Sequence, residues 1–158
     1  MINIQSRQRK ISIKNLKIEQ KLNFLLNELD YSKYDIGLLI TTDKTIRAYN
    51  KEYRAKDKAT DILSFPYHDL KAGDKIKVEQ QEDKNLGDMI ISLEYVQKDA
   101  KKLSVTFENR MDVLLVHGIC HLLGYDHIED EDYLVMKEME DKLLDKLNKK
   151  FCNYSTIT

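Results

Sequence analysis

The sequence predicts a single domain of the α+β or α/β class, with about four strands and about five helices. Short apolar runs bounded by polar residues indicate strands, and they alternate with longer segments whose apolar residues recur at helical intervals. A chain of 158 residues is long enough to bury one core. Because it has one proline, five glycines and no linker-like stretch, we expect one domain over residues 1–150 and a polar tail over residues 151–158.

The first half of the chain predicts two strands on either side of a helix. The strand candidates are residues 2–4 and the apolar run "DIGLLIT" at residues 35–41. Between them, leucines at helical spacing predict a helix over residues 13–29. The leucines assigned to its apolar face are Leu16, Leu22, Leu25, Leu26 and Leu29.

Residues 42–54 predict a second helix, which leads into a third strand. Thr42 is a suitable N-cap, and Asp43 lies near the positive end of the helix dipole. The strand is "TDILSFP" at residues 60–66, and it stops at Pro66, which cannot donate a backbone hydrogen bond. The residues predicted to share one face of the helix are Ile46, Tyr49 and Tyr53.

The second half begins with a polar stretch, residues 67–85, which predicts a loop. The run "LGDMIIS" at residues 86–92 then predicts a strand. Ser92 and Thr106 are placed to cap two helices, the first of which runs to about Leu103.

The helix after Thr106 contains "RMDVLLVHGICHLL", which is apolar almost all round and therefore predicts burial. Gly124 is suited to end it in a left-handed conformation. A last helix is predicted over residues 130–147. Its apolar stripe consists of Tyr133, Met136, Leu143 and Leu147.

The composition excludes several classes of protein. A formal net charge of −1 gives no overall basic field for nucleic acid, although 26 lysines and arginines allow a local basic groove. The stretch "MINIQSRQRK" has no apolar core of signal-peptide length, and no apolar run approaches the ~20 residues of a membrane helix. Two cysteines, Cys120 and Cys152, make no disulfide framework, so we expect a reducing cytoplasm.

Three of the four histidines lie in "HGICHLLGYDH", residues 117–127. His117 and His121 are four residues apart, so a helix projects both from one face, within reach of one ion. Gly124 can end the helix and let the chain bring His127 to the same ion. Three imidazoles leave a fourth position open, as in catalytic zinc sites, and zinc is the default metal for them, with nickel or copper as alternatives.

The histidine spacing matches the extended zinc-protease signature H-E-x-x-H-x-x-G-x-x-H, except that Gly118 replaces the catalytic glutamate. A zinc peptidase needs a base beside the metal-bound water, so it would have to use another carboxylate, such as Asp126. Asp126 is also a candidate acceptor for orienting a ligand imidazole. A metal that lowers the pKa of water to about 7 can supply hydroxide without the glutamate, which suits phosphodiester cleavage.

Phosphodiester cleavage also needs a cation for the phosphate charge, and Arg54 in "NKEYRAKDKATDILSFP" is the candidate. Its planar guanidinium fits phosphate, and Lys56 and Lys58 are close in sequence. Taken alone, such a cluster is typical of a solvated surface. The other basic run, "KLNKK" near the C-terminus, predicts a helix end rather than an RNA-binding patch. Without aromatic residues interleaved in it, we predict no base-stacking platform.

Three motifs in fixed order, "YRAKDKATDILSFP", "LGDMIIS" and "HGICHLLGYDH", resemble the bacterial YbeY family of metal-dependent endoribonucleases. The resemblance covers about residues 46–140. It implies that His117, His121 and His127 hold one zinc ion. It further implies that Arg54, His117 and His121 are catalytic, with Arg54 contacting RNA phosphate. The fold it implies is α+β, with a small mixed sheet and a metal cleft between the sheet and the helices.

The resemblance also implies a function and its partners. We expect a zinc-dependent, single-strand-specific endoribonuclease that acts in maturation of the 16S rRNA 3′ end and in ribosome quality control. The expected partners are single-stranded RNA, ribosomal RNA and the small ribosomal subunit, with no DNA and no membrane. Two alternatives stay open: a zinc peptidase with an unusual base, and a ribosome-assembly factor whose zinc is mainly structural.

Two residues depart from the family pattern. Ala59 stands where the family usually has proline, which loosens the entry to a strand. Cys120 stands where the family usually has an apolar residue. A small buried thiol is the favoured interpretation of Cys120, because a fourth protein ligand would close the site.

Five polar residues are weaker candidates for the site. Asp61 and Ser64 fall on opposite faces of a strand, so both cannot face the metal without a bend. Thr60 is expected to make local hydrogen bonds, and His68 is not expected to be a ligand. Asp88 is a candidate acceptor for a hydrogen bond from a cleft residue.

Overall fold

The computed structural model describes residues 1–151. Within this range, one sheet packs with five α-helices. The strands are β1 (Ile2–Ser6), β2 (Asp35–Thr41), β3 (Ile62–Pro66) and β4 (Asn85–Ser92). The helices are α1 (Asn15–Glu28), α2 (Asp43–Arg54), α3 (Leu93–Leu103), α4 (Phe107–Leu122) and α5 (Asp130–Lys150). Residues 152–158 of the predicted tail, with Cys152, lie outside the described residues.

The four strands form one mixed sheet in the order β1-β2-β4-β3. β1 and β4 both run parallel to β2, while β3 runs antiparallel to β4. The parallel pair β1 and β2 is joined through α1, as a parallel crossover requires. The predicted α+β class with a small mixed sheet is confirmed.

Alternating side chains divide the sheet into two different faces. One face carries Ile36, Leu38 and Ile40 of β2 with Met89 and Ile91 of β4, all buried in the main core. Helices α1 and α4 supply the other half of that core. On the opposite face a smaller cluster, Ile46 of α2 with Leu63 and Ile90, covers only one end.

Helix α4 approaches the sheet closely at Gly118. A Cβ atom at this position would overlap Sδ of Met89 and Cδ1 of Ile62. Glycine therefore lets the helix lie on β3 and β4, and the close approach brings its histidines next to the sheet edge. The prediction that α4 is buried on nearly all sides is confirmed by its nine buried residues.

Helix α1 is fixed to α4 by a buried ion pair that the sequence did not indicate. Nζ of Lys21 lies 2.7 Å from Oδ1 of Asp112 and 3.1 Å from Oε1 of Glu108. Burial raises the pKa of Asp112, and Lys21 offsets this only in part. Lys21 therefore compensates a carboxylate that would otherwise be costly to bury.

Two of the three predicted helix caps are confirmed. The Ser92 hydroxyl accepts a hydrogen bond from the Tyr95 N–H, and the Thr106 hydroxyl accepts one from the Asn109 N–H at 3.0 Å. Thr42 occupies the N-cap position of α2, but its side chain makes no cap hydrogen bond. Instead, the carboxylate of Glu94, which belongs to α3, accepts a hydrogen bond from the backbone N–H of Asp43 at 2.9 Å.

Two residues predicted on apolar faces are exposed instead. Leu16 is 66% exposed because it lies on the far side of α1 from Leu22 and Leu25, which are fully buried. Tyr133 is 53% exposed because the first turn of α5 extends beyond the core. The other predicted members of the α5 stripe, Met136, Leu143 and Leu147, are buried.

The remaining elements follow the predictions closely. Residues 67–84 form a loop that contains one short 3-10 turn, Gln81–Asp83, and residue 85 of the predicted loop is instead the first residue of β4. Helix α5 continues three residues beyond the predicted end at residue 147. Among residues 1–151, no helix has the length and apolar character that crossing a membrane requires.

Candidate metal centre

Two of the three motif histidines face each other on one side of α4. The Nε2 atoms of His117 and His121 are 3.1 Å apart, and their ring centroids are 4.5 Å apart. The separation of four residues on a helix produces this contact, as the spacing predicts.

The third histidine returns to the helix because the chain turns sharply after α4. Gly124 has φ +91°, and a Cβ atom there would overlap the carbonyl oxygen of Leu70. The Tyr125 N–H then donates to the Cys120 carbonyl at 3.0 Å, which closes the turn. The His127 ring centroid consequently lies 5.3 Å from that of His121.

The three imidazoles form a group suited to one metal ion. One nitrogen from each of His117, His121 and His127 lies within 4.8 Å of the other two. In a tetrahedral zinc site, nitrogens bound at roughly 2.0–2.1 Å are about 3.4 Å from one another, close to the 3.1 Å between the Nε2 atoms of His117 and His121. The predicted ligand set is therefore brought together by the fold.

Hydrogen bonds at the Nδ1 atoms decide which nitrogens can bind a metal. Nδ1 of His117 is 2.9 Å from Oε2 of Glu140, and Nδ1 of His121 is 3.0 Å from the Tyr125 carbonyl oxygen. A carbonyl and an ionised carboxylate only accept, so these partners assign the proton of each ring to Nδ1. The two Nε2 lone pairs then face each other, an arrangement that a cation between them stabilises.

The electrostatics of His121 also favour the metal-binding form. Burial lowers the pKa of His121, and the neighbouring rings of His117 and His127 lower it further. Its imidazole is therefore neutral at neutral pH, which is the form that coordinates a metal.

The prediction that Asp126 orients a ligand ring is wrong for His117 and His121. Oδ1 of Asp126 accepts the backbone N–H of His127 at 2.6 Å, so it shapes the turn instead. Glu140 has no fixed spacing from the motif, so the sequence did not indicate its contact with His117. The available signal was a carboxylate four residues after Met136, on the apolar stripe of α5.

Cys120 is not part of the cluster. Its side chain is fully buried in the main core, and burial raises the pKa of the thiol to about 12. A neutral thiol in an apolar environment is a weak metal ligand, because thiolates are the ligating form. The interpretation of Cys120 as a small buried core residue is confirmed.

Arg54 and the histidines line the same cleft, which has a volume of about 880 Å³. Arg54 is the last residue of α2, which ends at Ala55 in a left-handed conformation with φ 56°. Among residues 1–151 it has no carboxylate partner, whereas Arg47 on the same helix is 2.8 Å from Asp57. The Arg54 guanidinium is therefore free for an anion.

The loop after Arg54 is held by a residue that the sequence analysis did not single out. Asn50 is fully buried, and its side-chain amide donates to the Lys58 carbonyl at 2.9 Å. This bond fixes the path between α2 and β3, and hence the position of Arg54 at the cleft. Lys56 and Lys58 do not line the cleft themselves.

Asp61 and Ser64 both line the cleft, although strand alternation predicts opposite faces. Asp61 precedes the first residue of β3, so the alternation does not extend to it. Its Oδ2 lies 3.0 Å from Arg110, and its Oδ1 is within 3.4 Å of the Thr60 hydroxyl. The Ser64 hydroxyl is buried without a hydrogen-bond partner in the described part of the chain.

The last two candidates lie away from the metal. His68 contacts the Asp83 carbonyl through Nε2 at 2.8 Å, so it is not a ligand, as expected. Asp88 is on the other face of the sheet, where its side chain lies over Gly37. The prediction that Asp88 accepts a hydrogen bond from a residue of the metal cleft is therefore wrong.

A family model described as Endoribonuclease YbeY matches residues 2–148. This chain belongs to the YbeY endoribonuclease family. A relative named endoribonuclease YbeY from Sulfurihydrogenibium sp. (strain YO3AOP1) is 42% identical over 149 residues, covering 93% of this chain and 91% of the relative. The Homo sapiens protein of that name is 32% identical over 148 residues, covering 93% and 88%.

A solved structure shows the same fold. The solution structure of a Thermotoga maritima protein matches with a TM-score of 0.66 over 96% of this chain and 91% of that one, at 24% identity. The family model and the relatives confirm the YbeY resemblance expected from the three sequence motifs.

Proposed function

We propose that this protein is a zinc-dependent endoribonuclease that cleaves single-stranded RNA. Its role would be maturation of the 16S rRNA 3′ end on the small ribosomal subunit, together with ribosome quality control, in the cytoplasm. The observation that carries the proposal is that the three imidazoles share one cleft with an arginine that has no carboxylate partner among residues 1–151. Relatives of the chain are named endoribonucleases.

In this proposal residues 1–150 form a metal-dependent hydrolase domain in which His117, His121 and His127 hold the ion. When bound, zinc supplies Lewis acidity that makes water more acidic and offsets phosphate charge. Glu140 holds the His117 ring with Nε2 towards the cluster. Phosphate binding and proton transfer are assigned to residues that line the cleft.

Arg54, His117 and His121 are the proposed catalytic residues. Arg54 presents a planar donor fork to the phosphate and stabilises the charge that grows during cleavage. Two carboxylates line the cleft, and Asp61 is paired with Arg110. Asp126 is therefore the carboxylate available to accept a proton.

A single strand can turn its phosphates into a cleft of this size, whereas a duplex keeps them on a rigid helical surface.

For the zinc-peptidase alternative, Asp126 is the cleft carboxylate that would have to serve as the base, because the motif glutamate is absent. The position that holds the protease glutamate is Gly118, and the sheet occupies the space that its side chain would need. A casein digestion is the direct comparison, and we expect none.

The test is cleavage of an end-labelled single-stranded RNA by identically purified variants, with zinc content measured for each. We compare Arg54→Ala with Arg47→Ala, an arginine on the same helix outside the cleft, and His121→Ala with His68→Ala. Loss of one well-placed donor to the developing charge costs about 100- to 1,000-fold in rate. We therefore expect that loss for Arg54→Ala with zinc retained, and loss of both zinc and cleavage for His121→Ala.

Other outcomes have distinct meanings. Equal cleavage by every variant would assign the activity to a contaminant or another site. Zinc binding without cleavage by the wild type would favour the assembly factor with a structural metal. The assembly-factor alternative would then be supported if the folded His121→Ala protein still associates with the small subunit.

A further inference from the structure

The face of the sheet opposite α4 is partly open. Helix α2 covers one end, and beside it lies a groove of about 460 Å³. This volume is within the roughly 300–1,000 Å³ that is typical of small-ligand sites. Its lining includes Asn3 and Gln5 of β1, Leu39 of β2, Tyr49 of α2 and Asp88 of β4.

Two aromatic residues form the wall between this groove and the metal cleft. Tyr53 and Phe65 line both hollows. The Tyr53 ring is 59% exposed and stacks on Tyr49, with centroids 6.1 Å apart and planes inclined by 13°. Its edge contact with Phe65 has a centroid distance of 5.3 Å. The contacts with Tyr49 and Phe65 therefore hold the Tyr53 ring in place, while the rest of the ring remains accessible to a ligand.

We propose that Tyr53 and the adjoining groove form a nucleobase-binding subsite of the metal cleft. Tyr53 directly precedes Arg54 in the chain, and both residues line the metal cleft. A nucleotide whose phosphate lies at Arg54 can therefore stack its base on the Tyr53 ring and turn it towards the groove. The inference rests on the proposed endoribonuclease function and adds a contact to the substrate beyond the scissile phosphate.

The chemistry of the groove suits a base better than a backbone phosphate. Asp88 places a carboxylate in the lining, which repels phosphate, whereas a neutral base with an exocyclic amino group can donate to it. The amide side chains of Asn3 and Gln5 can both donate and accept. Aromatic stacking binds any base, so the subsite contributes affinity for unpaired nucleotides with little sequence preference.

The third ring at this wall could not be predicted from the sequence, because only the fold brings it to the two tyrosines. Tyr49 and Tyr53 are one helical turn apart on α2, but Phe65 comes from β3. The prediction of no base-stacking platform overlooked the aromatic and basic residues that alternate along α2 from Tyr49 to Arg54.

The experiment measures kcat and KM for short RNA oligonucleotides, intact or with one abasic ribose placed at successive positions. The variants are Tyr53→Leu, which keeps apolar cover over Tyr49, and Tyr53→Phe, which keeps the ring. Tyr133→Leu is the matched control, because Tyr133 is similarly exposed, at 53%, and lines neither hollow.

We expect Tyr53→Leu to lower kcat/KM for intact RNA roughly ten-fold, mainly through KM, as the loss of one base stack predicts. Tyr53→Phe and Tyr133→Leu should remain within about two-fold of the wild type. One abasic position should lower the wild-type value by the same factor as Tyr53→Leu, and should have no further effect in Tyr53→Leu.

The proposal is overturned if the abasic position and Tyr53→Leu act additively, or if neither changes kcat/KM. Both results require a wild type that cleaves RNA, so they are separate from failure of the proposed function. A wild type that does not cleave the intact oligonucleotide would overturn the function itself, and this inference with it.

Discussion

Helices α4 and α5 both contribute side chains to the candidate metal centre, but their sequences differ in how clearly they indicate those side chains. On α4, His117 and His121 are separated by one helical turn, so the spacing alone puts both rings on one face. On α5, Glu140 reaches His117 at 2.9 Å across an interhelical contact, 23 residues away in the chain. One contribution is local and the other depends on tertiary packing.

A ligand motif therefore describes only part of a metal centre. Ring nitrogens that bind an ion must be close to each other, and a helix can achieve this within five residues. The groups that orient those rings can come from any element that packs nearby. Substitutions in the two helices can therefore measure how much each contributes.

The largest effect is expected for His121→Ala in α4. Removal of one of three imidazoles should abolish zinc binding at micromolar metal, as followed by competition with a chromophoric chelator. Zinc at about 100 times its Kd stabilises a folded protein by about 2.7 kcal/mol, or about 5–10 °C in Tm for a domain of this size. The wild type and His68→Ala should show that shift and His121→Ala should not. A full shift in His121→Ala would place the ion elsewhere.

In α5, Glu140→Ala should weaken zinc binding by about 10- to 100-fold, because the His117 ring loses the acceptor that fixes its Nδ1 proton. Glu140→Gln keeps a neutral acceptor and should lose less. Glu138→Ala, an exposed carboxylate on the same helix, is the control and should bind like the wild type. If the Glu140→Ala and Glu138→Ala proteins bind zinc with equal affinity, Glu140 only connects α5 to α4 and does not affect the metal.

The same distinction explains how much of the fold the sequence predicts. Features set within a few residues are confirmed, such as the Ser92 and Thr106 caps. Features set by distant contacts are not: Glu94 replaces the expected Thr42 cap, and Lys21 is buried against Asp112 although lysine is normally exposed. Apolar periodicity predicts which residues form the core, but it does not show that the first turn of α5 extends beyond the core.

Gly118 shows this most clearly within the motif itself. The sequence indicates that the protease glutamate is missing, but it gives no reason. The reason lies in Met89 and Ile62, which occupy the space of a side chain at position 118. Gly118 therefore removes the base of a zinc protease and also lets α4 pack closely against the sheet.

A smaller effect is expected for Gly118→Ala, and its sign is informative. Helix propensity alone predicts a gain of up to about 1 kcal/mol, whereas overpacking costs about 1–3 kcal/mol. Because the overlapping atoms of Met89 and Ile62 are the ends of flexible side chains, we expect a net loss of about 1 kcal/mol in urea unfolding of the metal-free protein. Zinc affinity should change little, since position 118 supplies no ligand. A gain in stability would mean that α4 can move away from the sheet at little cost.

The smallest effect on the metal is expected for Cys120→Ala, although Cys120 directly precedes His121 in the chain. Its thiol is fully buried, and its pKa is raised to about 12, so it contributes packing and no thiolate. We expect unfolding free energy to fall by about 1 kcal/mol, equally with and without zinc, and chelator competition to give the wild-type affinity. A ten-fold loss of affinity would instead place the thiol at the ion. Together with Glu140→Ala, this substitution separates nearness in sequence from nearness in space: the adjacent residue should not affect the metal, and the distant one should.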